Sequence, residues 1–162
     1  MAEVEGFALV EREYLQRFIP GFDWRQFPEP SPRHRIAVPL EQATVALVGT
    51  GGARLESQPR FEAVREGDPS YRVFPSDTPA DQLRFNHVGY NVRNAVADPD
   101  VVFPLALLRA YVGEGRIGRL APHAYSTMGY ATQTDVLLNE TGPAIAQGLL
   151  AERVDLAFLV PA

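Results

Sequence analysis

Two short apolar segments constrain the fold more than anything else in this chain. In Val154-Asp155-Leu156-Ala157-Phe158-Leu159-Val160, strand alternation puts Val154, Leu156, Phe158 and Val160 on one face, with Ala157 and Leu159 on the other. Thr44-Val45-Ala46-Leu47-Val48 is likewise apolar on both faces. A strand of this kind reads as an inner member of a parallel sheet covered on both sides. Each such side chain contributes about 1.5–3 kcal/mol when fully buried. The expected fold class is therefore α/β: three layers, with a mainly parallel, Rossmann-like sheet between flanking helices and both segments as inner strands. In open sheets of this type, ligands sit beyond the carboxyl ends of the strands. The last residue, Ala162, follows Val160 by two positions, where a reactive group is expected, so the sheet is expected to be incomplete on its C-terminal side.

The 162 residues suit a single α/β domain. Residues 1–42 read as an N-terminal helix and a proline- and aromatic-rich arm, and residues 43–162 as the core. A net charge of −5 argues against nucleic acid as a partner. No apolar run reaches the ~18 residues a membrane span needs. Glu3 and Glu5 stand where a signal peptide is basic, so the expected location is cytoplasmic. There is no cysteine, which removes disulfides, thiolate nucleophiles and cysteine-bound zinc from this chain's repertoire. There is no lysine either, which removes lysine Schiff bases and the P-loop lysine.

Along the chain, Phe7, Val10, Tyr14, Leu15 and Phe18 mark a helix over residues 1–20, ended by Pro20-Gly21. Residues 22–39, with Trp24, Phe27, Pro28, Pro30, Pro32 and Pro39, read as an extended arm, with Arg33-His34-Arg35 as a short basic loop. Gly49-Thr50-Gly51-Gly52 after the first strand fits either a plain tight turn or a loop whose N–H groups cradle an anion. Residues 53–69 read as solvated loop, with Arg54, Arg60 and Arg65 alternating with Glu56, Glu62 and Glu66. Short strands are expected at residues 71–74 and 83–85. A helix opened by Pro104 is expected over residues 105–112, with Leu105, Leu108 and Val112 inward, then an extended segment at 117–120. Residues 122–130 read as a polar loop. A helix over 134–152 places Leu137, Ile145 and Leu149 inward and kinks or restarts at Pro143.

The candidate chemistry gathers on His87 and His123. Each follows a short extended segment and has tyrosine nearby: Tyr90 in one case, Tyr125 and Tyr130 with Ser126 in the other. If both segments belong to one parallel sheet, both loops open on the same edge. The histidines then serve one site as acid, base or carboxylate ligand. Asp77 and Asp81 are the carboxylates closest in sequence to His87. No HxH or HxxxH spacing marks a metal site, and Ser126 is not in a GxSxG elbow. No metal or other cofactor is called for.

The order of a Thr-Gly-Gly turn, GDPSYRVFPSDT, FNHVGY and DPDVVFPLALLRAYVGEGRIGRLAPHAYSTMGY, then a helix running into VDLAFLVP, resembles the selenoprotein B family of glycine, sarcosine, betaine and D-proline reductases. The likeness covers residues 43–161. It implies an α/β fold in the cytoplasm and reductive cleavage of a carbon–nitrogen bond. A selenocysteine or cysteine in the loop after the last strand seen here attacks the substrate or an adduct of it, with thiols as final reductant. It further implies that His87, His123 and Tyr90 do catalytic work. Thr50, Gly51, Gly52, Tyr125, Ser126 and Tyr130 then bind a small carboxylate-bearing substrate. Arg54 and Asn91 depart from the His and Asp expected at those positions. The sequence ends before the reactive residue, through a true stop or a UGA selenocysteine codon read as one. The chain is therefore expected to be inactive alone. It is expected to work as a homo-oligomer or with a partner subunit, the aromatic arm being one route to a dimer. The alternative is a non-catalytic small-molecule-binding or assembly module on the same scaffold.

Overall fold

The computed structural model describes residues 2–23, 29–30, 34–62 and 66–162, and side chains within the first helix from residue 9 onward. Trp24, Phe27, Pro28, Pro32, Arg33 and Arg65 lie outside the described residues, as does the side chain of Phe7. The chain divides into two compact units, Met1–Arg35 and Ile36–Ala162.

The first unit holds α1 (Ala2–Gln16). The helix stops four residues before Pro20, because the proline ring would clash with the Gln16 carbonyl. Tyr14 and Phe18 meet edge to face at 5.3 Å.

The second unit is built on β1 (Thr44–Gly49), the centre of a five-stranded sheet. One side of β1 pairs in parallel with β7 (Leu156–Val160), from Val45↔Leu156 to Gly49↔Val160. Its other side pairs in parallel with β5 (Arg119–Leu120) and then β6 (His123–Thr127). β3 (Tyr71–Pro75) closes that side, antiparallel to β6. A separate antiparallel ribbon joins β2 (Ala53–Leu55) to β4 (Leu83–Phe85). The fold is α/β, with mostly parallel strands and flanking helices.

One face of the sheet is covered by α3 (Leu105–Gly113) and the turn before it. There Phe103, Leu105 and Leu108 join Val45, Leu47, Phe74 and Ala124 in the core. Asp100 fixes the start of α3 by accepting the N–H groups of Ala106 and Leu107. The short α2 (Arg93–Ala97) buries Ala95 in the same core. The other face carries α5 (Gly142–Ala151), whose Gly148 lies against the Tyr125 hydroxyl.

The long helix before β7 is interrupted near Pro143. α4 (Thr134–Val136) passes into a π turn, Leu137–Thr141, before α5. Pro143 has no N–H to give the residue 139 carbonyl, and the ladder widens ahead of it. The Thr141 hydroxyl anchors this turn to the Pro69 carbonyl at 2.6 Å.

Three sequence expectations are corrected. β1 is an inner strand, but among the described residues β7 has β1 alone as neighbour, and Phe158 and Leu159 are 43% and 67% exposed. Apolarity on both faces shows what a strand tolerates, not how many neighbours it has. The polar stretch at residues 122–130 is largely strand: β6 hides Ala124 and Ser126 on one face and Tyr125 on the other. Residues 53–69 are not simply a solvated loop. Arg54 is 6% exposed and donates to the carbonyls of Leu55 and Gln58, closing the turn after β2.

No described helix is long and apolar enough to cross a membrane.

Candidate functional site

The carboxyl ends of β1, β6 and β7 meet at one edge of the sheet. Here the 49–52 turn leaves β1, and its N–H groups are largely committed. Thr50 donates to the Val160 carbonyl at 3.0 Å and Gly52 to the Thr127 carbonyl at 2.9 Å. Gly52 has φ +68, and a Cβ there would collide with the Asn86 carbonyl. The second glycine of the pair therefore serves conformation and close packing, not an anion cradle. The Thr50 hydroxyl oxygen accepts the Ala162 N–H at 2.8 Å and keeps its own proton for donation. Gly129 packs directly on Thr50 and ties the end of β6 to this corner.

Asn86 carries the other half of the site. Its N–H donates to the Gly52 carbonyl, and its side-chain amide exchanges two hydrogen bonds with the backbone of Phe61. The loop that follows is thus held against the glycine turn. Tyr90 reaches across and donates its hydroxyl to the Gly51 carbonyl at 2.6 Å. Burial pushes the Tyr90 pKa up to about 12, so the phenol stays protonated at neutral pH.

The His87 ring lies on Tyr90, with centroids 4.5 Å apart. The Gly89 N–H donates to His87 Nδ1 at 2.8 Å, which places the ring proton on Nε2. That Nε2 is buried; the Met128 backbone lies close enough to favour its proton, though no well-formed hydrogen bond joins them. Burial lowers the His87 pKa, and the nearby Met128 backbone offsets this only in part. A neutral imidazole with a committed Nδ1 and a weakly held Nε2–H keeps donor capacity for a better acceptor. Beside it, Tyr90, Asn91, Asn94, Ala95, Val101, Val102 and Ala162 line a cleft of about 260 Å³.

The structure brings together Thr50, Gly51, Gly52, His87 and Tyr90. It does not bring His123 to them. β4 belongs to the separate ribbon, so the condition for a shared edge fails. His123 opens β6, about 13 Å from the strand's far end at 3.3 Å per residue. There its backbone N–H and Nδ1 both engage the Glu152 carboxylate at the end of α5. Tyr125 is 4% exposed beneath α5, and burial with the neighbouring Glu152 charge raises its pKa. Ser126 is fully buried on the opposite face, paired beside Gly49 across the two strands. Neither side chain is open to a substrate. Tyr130 follows Gly129, and its carbonyl accepts the Asp68 N–H at 3.1 Å. Among the described residues, no three His, Asp or Glu side chains converge as metal ligands do.

The sequence reading missed Asn86 and Asn94 as parts of the site, and missed the knot around Asp68. That carboxylate accepts N–H groups from Glu62 and Ser70 and the Ser70 hydroxyl, with Arg72 3.8 Å away. Burial works to raise its pKa, but these donors together outweigh burial and hold it below the usual value. Arg72 in turn lies 4.2 Å over the Phe61 ring. The available signal was the Asp-Pro-Ser-Tyr-Arg string, in which Asp, Ser and Arg at i, i+2 and i+4 suit a local polar clamp.

Comparison with known proteins gives this edge of the sheet a family. Residues 9–161 match the model of the glycine/sarcosine/betaine reductase selenoprotein B family. The chain is 35% identical to D-proline reductase subunit gamma of Acetoanaerobium sticklandii over 120 residues, 74% of this chain and 49% of that one. It is 34% identical to glycine reductase complex component B subunit gamma of Carboxydothermus hydrogenoformans over 148 residues, 87% of this chain and 32% of that one. It is also 34% identical to betaine reductase complex component B subunit beta of Peptoclostridium acidaminophilum over 110 residues, 63% and 25% of the two chains. The chain thus spans half or less of the length of these relatives. No solved structure matches it. The match across almost the whole chain places this protein in the selenoprotein B family of glycine, sarcosine and betaine reductases.

Proposed function

We propose that this chain is the substrate-holding scaffold of an amino-acid or betaine reductase subunit. It would hold a small carboxylate-bearing substrate at the carboxyl edge of the sheet for reductive C–N cleavage. The observation that carries this reading is the weakly held Nε2–H of His87, stacked on Tyr90 beside the Gly51–Gly52 turn in a family of such reductases. The His87 Nε2–H and the Thr50 hydroxyl supply donors for the carboxylate, and Tyr90 fixes the turn through Gly51. His123 has no place in this step; its carboxylate partner is Glu152. The chain holds no cysteine, so the selenol or thiol and the two reducing electrons come from a polypeptide region or subunit outside it. The purified chain alone is therefore expected to show no turnover of glycine, betaine or D-proline. Measurable release of ammonia from glycine or trimethylamine from betaine, or ring opening of D-proline to 5-aminopentanoate, with dithiol as reductant, would refute this. The proposed setting is cytoplasmic, in a complex with further subunits.

A second reading, a non-catalytic assembly module, draws on one feature: an apolar edge strand, β7, with β1 as its single neighbour among the described residues. Light scattering distinguishes the two, since a monomer at tens of micromolar goes against assembly through this edge.

A further inference from the structure

At the amino end of the sheet, far from the His87 edge, lies a larger cavity of about 510 Å³. Its walls are Pro75, Val112, Leu120, Ala121 and Pro122, and its polar groups are Ser76, Asp77 and Arg109. The cavity is held in shape by hydrogen bonds that leave charge unspent. Arg109 on α3 donates from Nη1 to the Ser76 carbonyl at 3.0 Å and to the Thr78 carbonyl at 2.8 Å. Its Nε and Nη2 give no hydrogen bond among the described residues. The Ser76 N–H donates to the Pro122 carbonyl at 2.9 Å, joining the two walls, and the Thr78 hydroxyl closes the turn on Pro75 at 2.6 Å. Asp77 is exposed at the rim and has no partner among the described residues.

We propose that this cavity is a second small-molecule site, taking a zwitterionic amino acid with an aliphatic side chain. The carboxylate sits on the free edge of the Arg109 guanidinium, the ammonium on Asp77, and the hydrocarbon on Val112, Leu120 and Pro75. The pairing of charges selects the class. A simple carboxylate meets the like charge of Asp77, and a simple amine meets that of Arg109, while a zwitterion satisfies both. The guanidinium is pinned by two carbonyls, so its remaining donors are oriented before any ligand arrives, which lowers the cost of binding. The site is separate from the edge that holds His87, and its failure would leave the proposed reductase role untouched.

The test uses three probes with one carbon skeleton: L-leucine, 4-methylpentanoate, which lacks the ammonium, and isoamylamine, which lacks the carboxylate. Each is titrated into the 15N-labelled full chain. Leucine should produce saturable amide shifts at Ser76, Asp77, Val112 and Ala121, and each single-charge analogue should bind at least tenfold more weakly. In Asp77→Asn, whose melting temperature should not change, leucine should drop to the level of 4-methylpentanoate. Arg109→Lys should weaken leucine tenfold or more. Leucine shifts centred on Tyr90 and Asn91, no shifts at all, or a leucine preference that survives Asp77→Asn would each overturn the proposal.

Discussion

The two ends of the central sheet each carry a histidine with tyrosine nearby, and they are built in opposite ways. At the carboxyl end, His87 is stacked, partly buried and left with an Nε2 that the Met128 backbone holds only weakly. At the amino end, the His123 ring is 45% exposed and its Nδ1 is taken by Glu152. One arrangement leaves a polar group short of a well-formed partner. The other ties the start of β6 to the end of α5. What separates them is strand direction: β6 begins at His123 and reaches the ligand edge only at Thr127 and Met128. Residue type and neighbouring aromatics are the same in both places, so the two environments follow from where the chain places each residue along the sheet.

The sharpest way to break this contrast is at the glycine turn. Gly52→Ala forces both a left-handed alanine and a collision with the Asn86 carbonyl, and should cost about 4 kcal/mol or prevent folding. Gly115, toward the amino end, has the same φ of +68 but open space around it. Gly115→Ala should cost only about 1–2 kcal/mol, the strain of the conformation itself. Urea denaturation of the two variants measures the difference; equal losses would deny that packing against Asn86 shapes the site.

Tyr90→Phe removes the donor to the Gly51 carbonyl and should cost about 1 kcal/mol. In the parent, ultraviolet titration should find this phenol still protonated well past pH 10, ionising near 12. Glu152→Gln at the other end should cost less, about 0.5 kcal/mol, because water screens the half-exposed His123 partner.

The smallest effect is in pH dependence. The His87 pKa lies below its unfolded value, so the unfolded chain takes up this proton first as pH falls. The stability tied to neutral His87 is fully present above the unfolded pKa near 6.5 and is lost as pH falls toward the lower folded value. His87→Gln should flatten that part of the stability curve, whereas a curve unchanged by the substitution would argue against a desolvated ring.

Much of the fold was readable from the sequence. β1, β3, β4 and α3 follow from apolar runs and their proline and glycine boundaries, and the interruption at Pro143 follows from the missing N–H. β6 was not readable as a strand, since its His, Tyr, Ser and Thr suggest exposure, and only pairing with both β1 and β3 buries its Tyr and Ser. The edge position of β7 was likewise hidden, because local composition does not count neighbours. Within the site, the glycine turn with His87 and Tyr90 was legible as a cluster of chemical types. The placement of His123, Tyr125 and Ser126 was not, because facing and strand polarity are set by tertiary pairing. Asn86 escaped because its importance lies in two hydrogen bonds to Phe61, 25 residues away.

The central claim, that the ligand edge is the His87 end of the sheet and excludes His123, has a direct test. With three histidines in the chain, the imidazole carbon–proton resonances can be followed individually by NMR during titration with glycine. The account predicts that the His87 ring signals move saturably while those of His123 stay fixed. Movement of His123 with His87 unchanged would contradict it.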